Sequence, residues 1–113
     1  MINLEKTLTH LGACSSVRSF YKDKSLKTAW NTCTRDADMW WFIQKLWASN
    51  ALSEKTYDRV YCAYMYGARM AKKFGNSNAV ETAYPTIDCI GNACRSIRLV
   101  VSYRTILRAV NKL

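Results

Sequence analysis

The side chains that could take part in chemistry are few and widely spaced in this chain. His10 is the only histidine, and His10-x3-Cys14 would set an imidazole and a thiol on successive turns of one helix, with Cys33 a conceivable third ligand. A structural zinc site takes four ligands, normally from tight pairs, and the five cysteines (Cys14, Cys33, Cys62, Cys89, Cys94) form no Cys-x2-Cys pair. Gly12 also interrupts that short helix. His10 therefore reads as a surface or capping residue, and no metal site is expected. Asp36 and Asp38 stand two apart where a helix should open, so capping and first-turn dipole complementarity account for both without acid–base work. Nucleophilic catalysis would need a Cys or Ser beside a base, and His10 is the single imidazole on offer. With no Walker loop, GxSxG, HExxH or dinucleotide fingerprint, the expectation is a protein that is not an enzyme and needs no cofactor.

What the chain does carry is positive charge. Lys and Arg number 17 against 8 Asp and Glu, for a formal net charge of +9. The stretch from Cys89 to Leu113 holds five of those cations, Arg95, Arg98, Arg104, Arg108 and Lys112, and no acid. At about 100° per residue, Leu99, Val100, Tyr103, Ile106, Leu107 and Val110 share one apolar arc; Arg98, Arg104, Arg108 and Lys112 share the opposite one, interrupted by Ile97 and Val101. A helix built this way can dock on its own domain with one face. The other face is free to meet a phosphate backbone, an anionic lipid surface or an acidic protein.

Aromatic residues are the second conspicuous resource. Trp40, Ile43 and Trp47 share a helix face by i, i+3, i+7 spacing, while Trp41 points about 100° away, so one of the adjacent pair is expected near the surface. Most of this cluster should be core, with Trp41 or Phe42 able to anchor a partner. Tyr57, Tyr61 and Tyr64 form a stripe along one helix that should pack. If it bordered the basic C-terminal helix instead, rings and cations together would suit single-stranded nucleic acid.

Positioning these groups requires helices. At 113 residues, half of them hydrophobic, the chain is long enough for one domain with a core of its own. A single proline and four glycines imply long helices and short joints. Helices are expected over about 3–11, 13–22, 26–33 and 37–49, and over a long segment from an N-cap at Ser53 to about Phe74. A segment from about Asn78 should be interrupted near Pro85, and a last helix should run over about 86–111, bent at Gly91. The cysteines sit among apolar neighbours and read as buried thiols of a reducing compartment. The N-terminal stretch has no apolar signal core and no run approaches 18 apolar residues, so neither secretion nor a membrane span is expected.

One pattern extends across several elements: His10-x3-Cys14, then Lys27-Thr-Ala-Trp30-x2-Cys33-x-Arg35-Asp36-x2-Met39-Trp40-Trp41, continued by Arg59 and Ala63. Over about residues 10–70 it resembles a family of small helical proteins of phage genomes and bacteria described as immunity proteins. The resemblance implies a phage or mobile-element setting and carries no catalytic or binding residues with it. The basic, acid-free C-terminus departs from that pattern.

These readings combine into one expectation: an all-α fold, a compact bundle of five or six helices forming a single domain over residues 1–113. Its expected role is that of a phage-type accessory protein that binds and blocks a host macromolecular complex in the bacterial cytoplasm. The partner would be a host protein or nucleoprotein complex, with DNA or RNA itself as the alternative. Arg95, Arg98, Arg104, Arg108, Lys112 and Trp41 are the expected contact residues. The tyrosine stripe and the tryptophan pair leave room for a homodimer.

Overall fold

Among the described residues, helix-start chemistry is written into the chain at four places. The side chains of Asn3, Ser25, Ser53 and Ser102 accept the backbone N–H groups of Lys6, Thr28, Thr56 and Thr105, at 3.1, 3.1, 3.2 and 3.3 Å. Each such cap satisfies a donor with no partner inside the helix and contributes about 1 kcal/mol. In a computed structural model that describes residues 2–74 and 92–113, these caps open α1 (Leu4–His10), α3 (Leu26–Thr32), α5 (Glu54–Phe74) and α7 (Tyr103–Asn111). Between them lie α2 (Ser15–Phe20), α4 (Asp36–Ala48) and α6 (Asn92–Val100). The fold is all-α, with seven helices and no strand among the described residues, one more helix than the upper expectation.

Two helices stop in the same way. Gly12 (φ +86°) follows α1 and Asn50 (φ +60°) follows α4 in the left-handed region. The next residues then bond back across the helix end, Ala13 N–H to Leu8 O and Ala51 N–H to Leu46 O, both at 2.9 Å.

Helix α4 is the centre of the assembly. Its Met39, Phe42, Ile43 and Leu46 are buried, and the flanking tryptophans face different neighbours. Trp40 turns to α5, where its ring stacks on Tyr64 at 4.9 Å and on Tyr57 at 5.5 Å; Trp47 stacks on Tyr57 at 4.4 Å. The pairings 40 with 64 and 47 with 57 make α4 and α5 an antiparallel hairpin. Trp41 turns instead toward α1 and α3, beside Leu4, Leu8 and Trp30. Both Trp40 and Trp41 are half-buried, so the expectation that one of the pair would stand at the surface gives way to a helix packed on two sides. The tyrosine stripe packs as expected, although Tyr61 remains exposed.

The C-terminal region departs most from the expected single helix. Residues 86–91, with Pro85 and the segment from Asn78, lie outside the described residues; the remainder is two helices joined at Val101–Ser102. Ser102 caps α7 and restarts the helical phase. On α6, therefore, Ile97 is fully buried with Val101 just beyond it, whereas Leu99 is 87% exposed and Val100 is exposed too. On α7 the expected arc holds: Ile106 and Val110 are buried, and Tyr103 and Leu107 pack against the core from its margin. Helix α6 lies mainly along α5 and also meets α4; α7 packs on α3.

Candidate functional site

Helix α7 turns its apolar side inward on α3, which leaves Arg104, Arg108 and Lys112 exposed at i, i+4, i+8. Successive members lie about 6 Å apart along the axis, so the three cations form one row roughly 12 Å long. Arg108 also stands in the last turn of α7, where a cation complements the helix dipole. Helix α3 adds an exposed Lys27 to the same pair of helices.

The remaining expected contact residues are placed differently. Arg95 is exposed on α6. Arg98 is half-buried, and one terminal nitrogen donates to Cys33 O at 2.8 Å and to Trp30 O at 3.3 Å. A guanidinium there neutralises the carbonyl end of α3 and locks α6 onto it. Trp41 is half-buried, with the Lys45 ammonium 5.9 Å from its ring centre. Trp47, at 42% exposed, offers more ring to solvent than the residue the sequence singled out.

A second constellation was not legible in the sequence. Cys33, just past the end of α3, and Cys94, in the first turn of α6, bring their sulfurs to 3.8 Å. Tyr21 reaches the same point: its hydroxyl donates to Asp38 Oδ2 at 3.0 Å and lies 3.6 Å from the Cys33 sulfur. Asp38 is held by Arg35 at 2.6 Å, and the Arg35 guanidinium sits 4.1 Å above the Phe20 ring. Asp36 accepts the Cys94 backbone N–H at 3.0 Å. Donation from the Cys94 thiol, helped by Tyr21 and the Arg35 backbone and opposed by burial, pulls the Cys33 thiol down to about 6. Cys94 shifts upward, because its proton is held by Cys33 and its sulfur is buried. Burial, then Cys33 and Asp38, raise the Tyr21 hydroxyl.

Beside this cluster is a small, mostly apolar cavity of about 50 Å³, whose lining includes Leu4, Leu8, Trp30, Met39 and Trp41 as well as Cys33, Tyr21 and Asp38. Cys14 and Cys62 are exposed, contrary to the expectation of buried thiols: Cys14 precedes a six-residue helix, and Cys62 lines an open groove between α5 and α6. Cys89 lies outside the described residues. Among the described residues no three His, Cys, Asp or Glu side chains converge to hold a metal ion, and no helix is long and apolar enough to cross a membrane. Comparison with protein-family models, curated proteins and solved structures finds no match to this chain.

Proposed function

We propose that this is a phage-type accessory protein that acts without catalysis, by docking on a host complex that handles nucleic acid and blocking it. The observation that carries the reading is the exposed row Arg104, Arg108, Lys112 on a helix whose other side is spent on the core. Such a row costs only the few tenths of a kcal/mol of like-charge repulsion between i, i+4 neighbours, attracts a polyanionic surface over about a Debye length and fixes its orientation on contact. The absence of acidic residues from Cys89 onward leaves that attraction undiluted along the chain. The phage setting is supported by the resemblance over about residues 10–70. Arg98 serves by holding α6 against the end of α3, the helix on which α7 packs, rather than by meeting the partner.

The test is fluorescence anisotropy of labelled single- and double-stranded oligonucleotides at two salt concentrations, with wild type and an Arg104→Ala/Arg108→Ala/Lys112→Ala variant. Three phosphate contacts give a slope of roughly −2.7 in log K against log salt on duplex DNA. Sub-micromolar binding with that slope, lost in the variant, makes nucleic acid itself the target. Weak, salt-labile oligonucleotide binding leaves an acidic protein surface of the complex as the target. A folded triple variant that binds every wild-type partner equally well overturns the role of the row.

A further inference from the structure

The thiol cluster is unused by the proposed binding face, and its geometry carries a chemistry of its own. We propose that Cys33 and Cys94 form a peroxide-reactive dithiol site, in which hydrogen peroxide oxidises Cys33 and Cys94 resolves it to a disulfide. Three features meet there. The two sulfurs are 3.8 Å apart, so a bond of ~2.05 Å needs less than ~2 Å of approach. Cys33 has extended backbone on the connection between α3 and α4, where such movement does not break a helix. The cavity alongside, about 50 Å³ and lined in part by Cys33, exceeds the roughly 10–15 Å³ that one water requires, so it has room for a molecule as small as hydrogen peroxide.

The Cys94 thiol lowers the pKa of Cys33 beside it, against burial and the Asp38 carboxylate, which favours the thiolate that attacks. The Cys33 thiolate attacks one peroxide oxygen; the O–O bond breaks, Cys33 becomes a sulfenic acid, and the departing hydroxide takes the Cys94 proton to leave as water. The Cys94 thiolate then attacks the Cys33 sulfur, the S–OH bond breaks, and that hydroxide leaves as water with the proton Cys33 first released to solvent. In sum two thiols and one peroxide give one disulfide and two waters. The Tyr21 hydroxyl, anchored on Asp38, stays 3.6 Å from the Cys33 sulfur. The product joins the end of α3 to α6 across 61 residues of sequence and should raise the melting temperature.

The experiment is treatment of the native protein with one equivalent of hydrogen peroxide at pH 7, alkylation of the remaining thiols, and peptide mapping by mass spectrometry. Free thiols should fall from five to three, with a Cys33–Cys94 cross-linked peptide that dithiothreitol reverses. Cys94→Ser, which keeps an O–H donor beside Cys33 but cannot form a disulfide, should leave Cys33 as a sulfenic acid that dimedone captures; if that variant does not fold, the wild-type map decides alone. Cross-links through Cys14, Cys62 or Cys89 would overturn the proposal. So would Cys33 halting at sulfinic acid, all five thiols staying alkylatable, or the same pairing appearing in 8 M urea on the order of conditions that unfold small domains.

Discussion

Asp36 Oδ1 accepts the backbone N–H of Cys94 at 3.0 Å, so a carboxylate in the first turn of α4 also satisfies the first turn of α6, 58 residues away in sequence. One charge thus serves two helix starts: it complements the dipole of its own helix and fills a donor that the other helix cannot satisfy internally. This contact, together with Arg98 one turn further along the same face of α6, seats that helix against α4 and the end of α3.

Asp36→Ala should lower stability by roughly 2 kcal/mol, the order of a hydrogen bond to a charged group whose partner is part-buried. Asp36→Asn keeps an acceptor oxygen and should recover about half of the loss. Urea unfolding followed by tryptophan fluorescence reads both, and an Asp36→Ala midpoint equal to wild type would show that the bond adds nothing.

Arg98 and the α7 row should separate cleanly in stability measurements. Arg98→Ala leaves Cys33 O and Trp30 O without their donor and should cost about 1–3 kcal/mol. Single alanines at Arg104, Arg108 and Lys112, all exposed, should stay within about 0.5 kcal/mol. Thermal melts of the four variants make the comparison; a large loss at Arg108 would mean that its dipole contact, rather than a partner, explains its placement.

Stability should follow the ionisation of Cys33. Its folded value, about 6, lies below the ordinary 9.0, so its contribution is complete above pH 9 and is lost as pH falls through 6. The melting temperature should therefore climb between pH 6 and 9. Above that range Cys94 and Tyr21, both raised in the fold, reverse the trend as the unfolded chain ionises first. Cys33→Ser should flatten the rise, and a wild-type profile flat from pH 6 to 9 would contradict the assigned ionisation.

The two left-handed helix ends should respond in opposite directions to substitution. Gly12 has open space around a Cβ, so Gly12→Ala should cost about 1 kcal/mol through backbone strain alone. Asn50→Gly removes a Cβ from φ +60° and should be neutral or stabilising by a few tenths of a kcal/mol. Equal destabilisation by both changes would indicate that side-chain contacts of Asn50 outweigh its conformation.

Much of the local framework was legible because its causes are local. Ser53 caps α5 as its position in the sequence indicates, and α1 to α5 begin and end within a few residues of their expected limits. The Tyr57, Tyr61, Tyr64 stripe was readable from spacing; that two of its rings would stack on Trp40 was not, since a stripe does not reveal what faces it. The C-terminal error has a definite origin. A helical arc drawn through Val101–Ser102 assumes continuous phase, and the Ser102 cap breaks that phase, which buries Ile97 and Val101 and exposes Leu99.

By itself the sequence determined that this protein is helical, where most helices begin, and that its C-terminal end is positive without acids. Caps, left-handed helix ends and period-3.6 patterning act over one to five residues, so they need no knowledge of the rest of the chain. Tertiary structure alone decided that Arg98 is a strut while Arg104, Arg108 and Lys112 face solvent, and that Cys33 meets Cys94. Those outcomes depend on contacts between residues 61 to 68 positions apart, formed only when burial of the α3, α4 and α6 side chains outweighs the entropy of closing the chain between them.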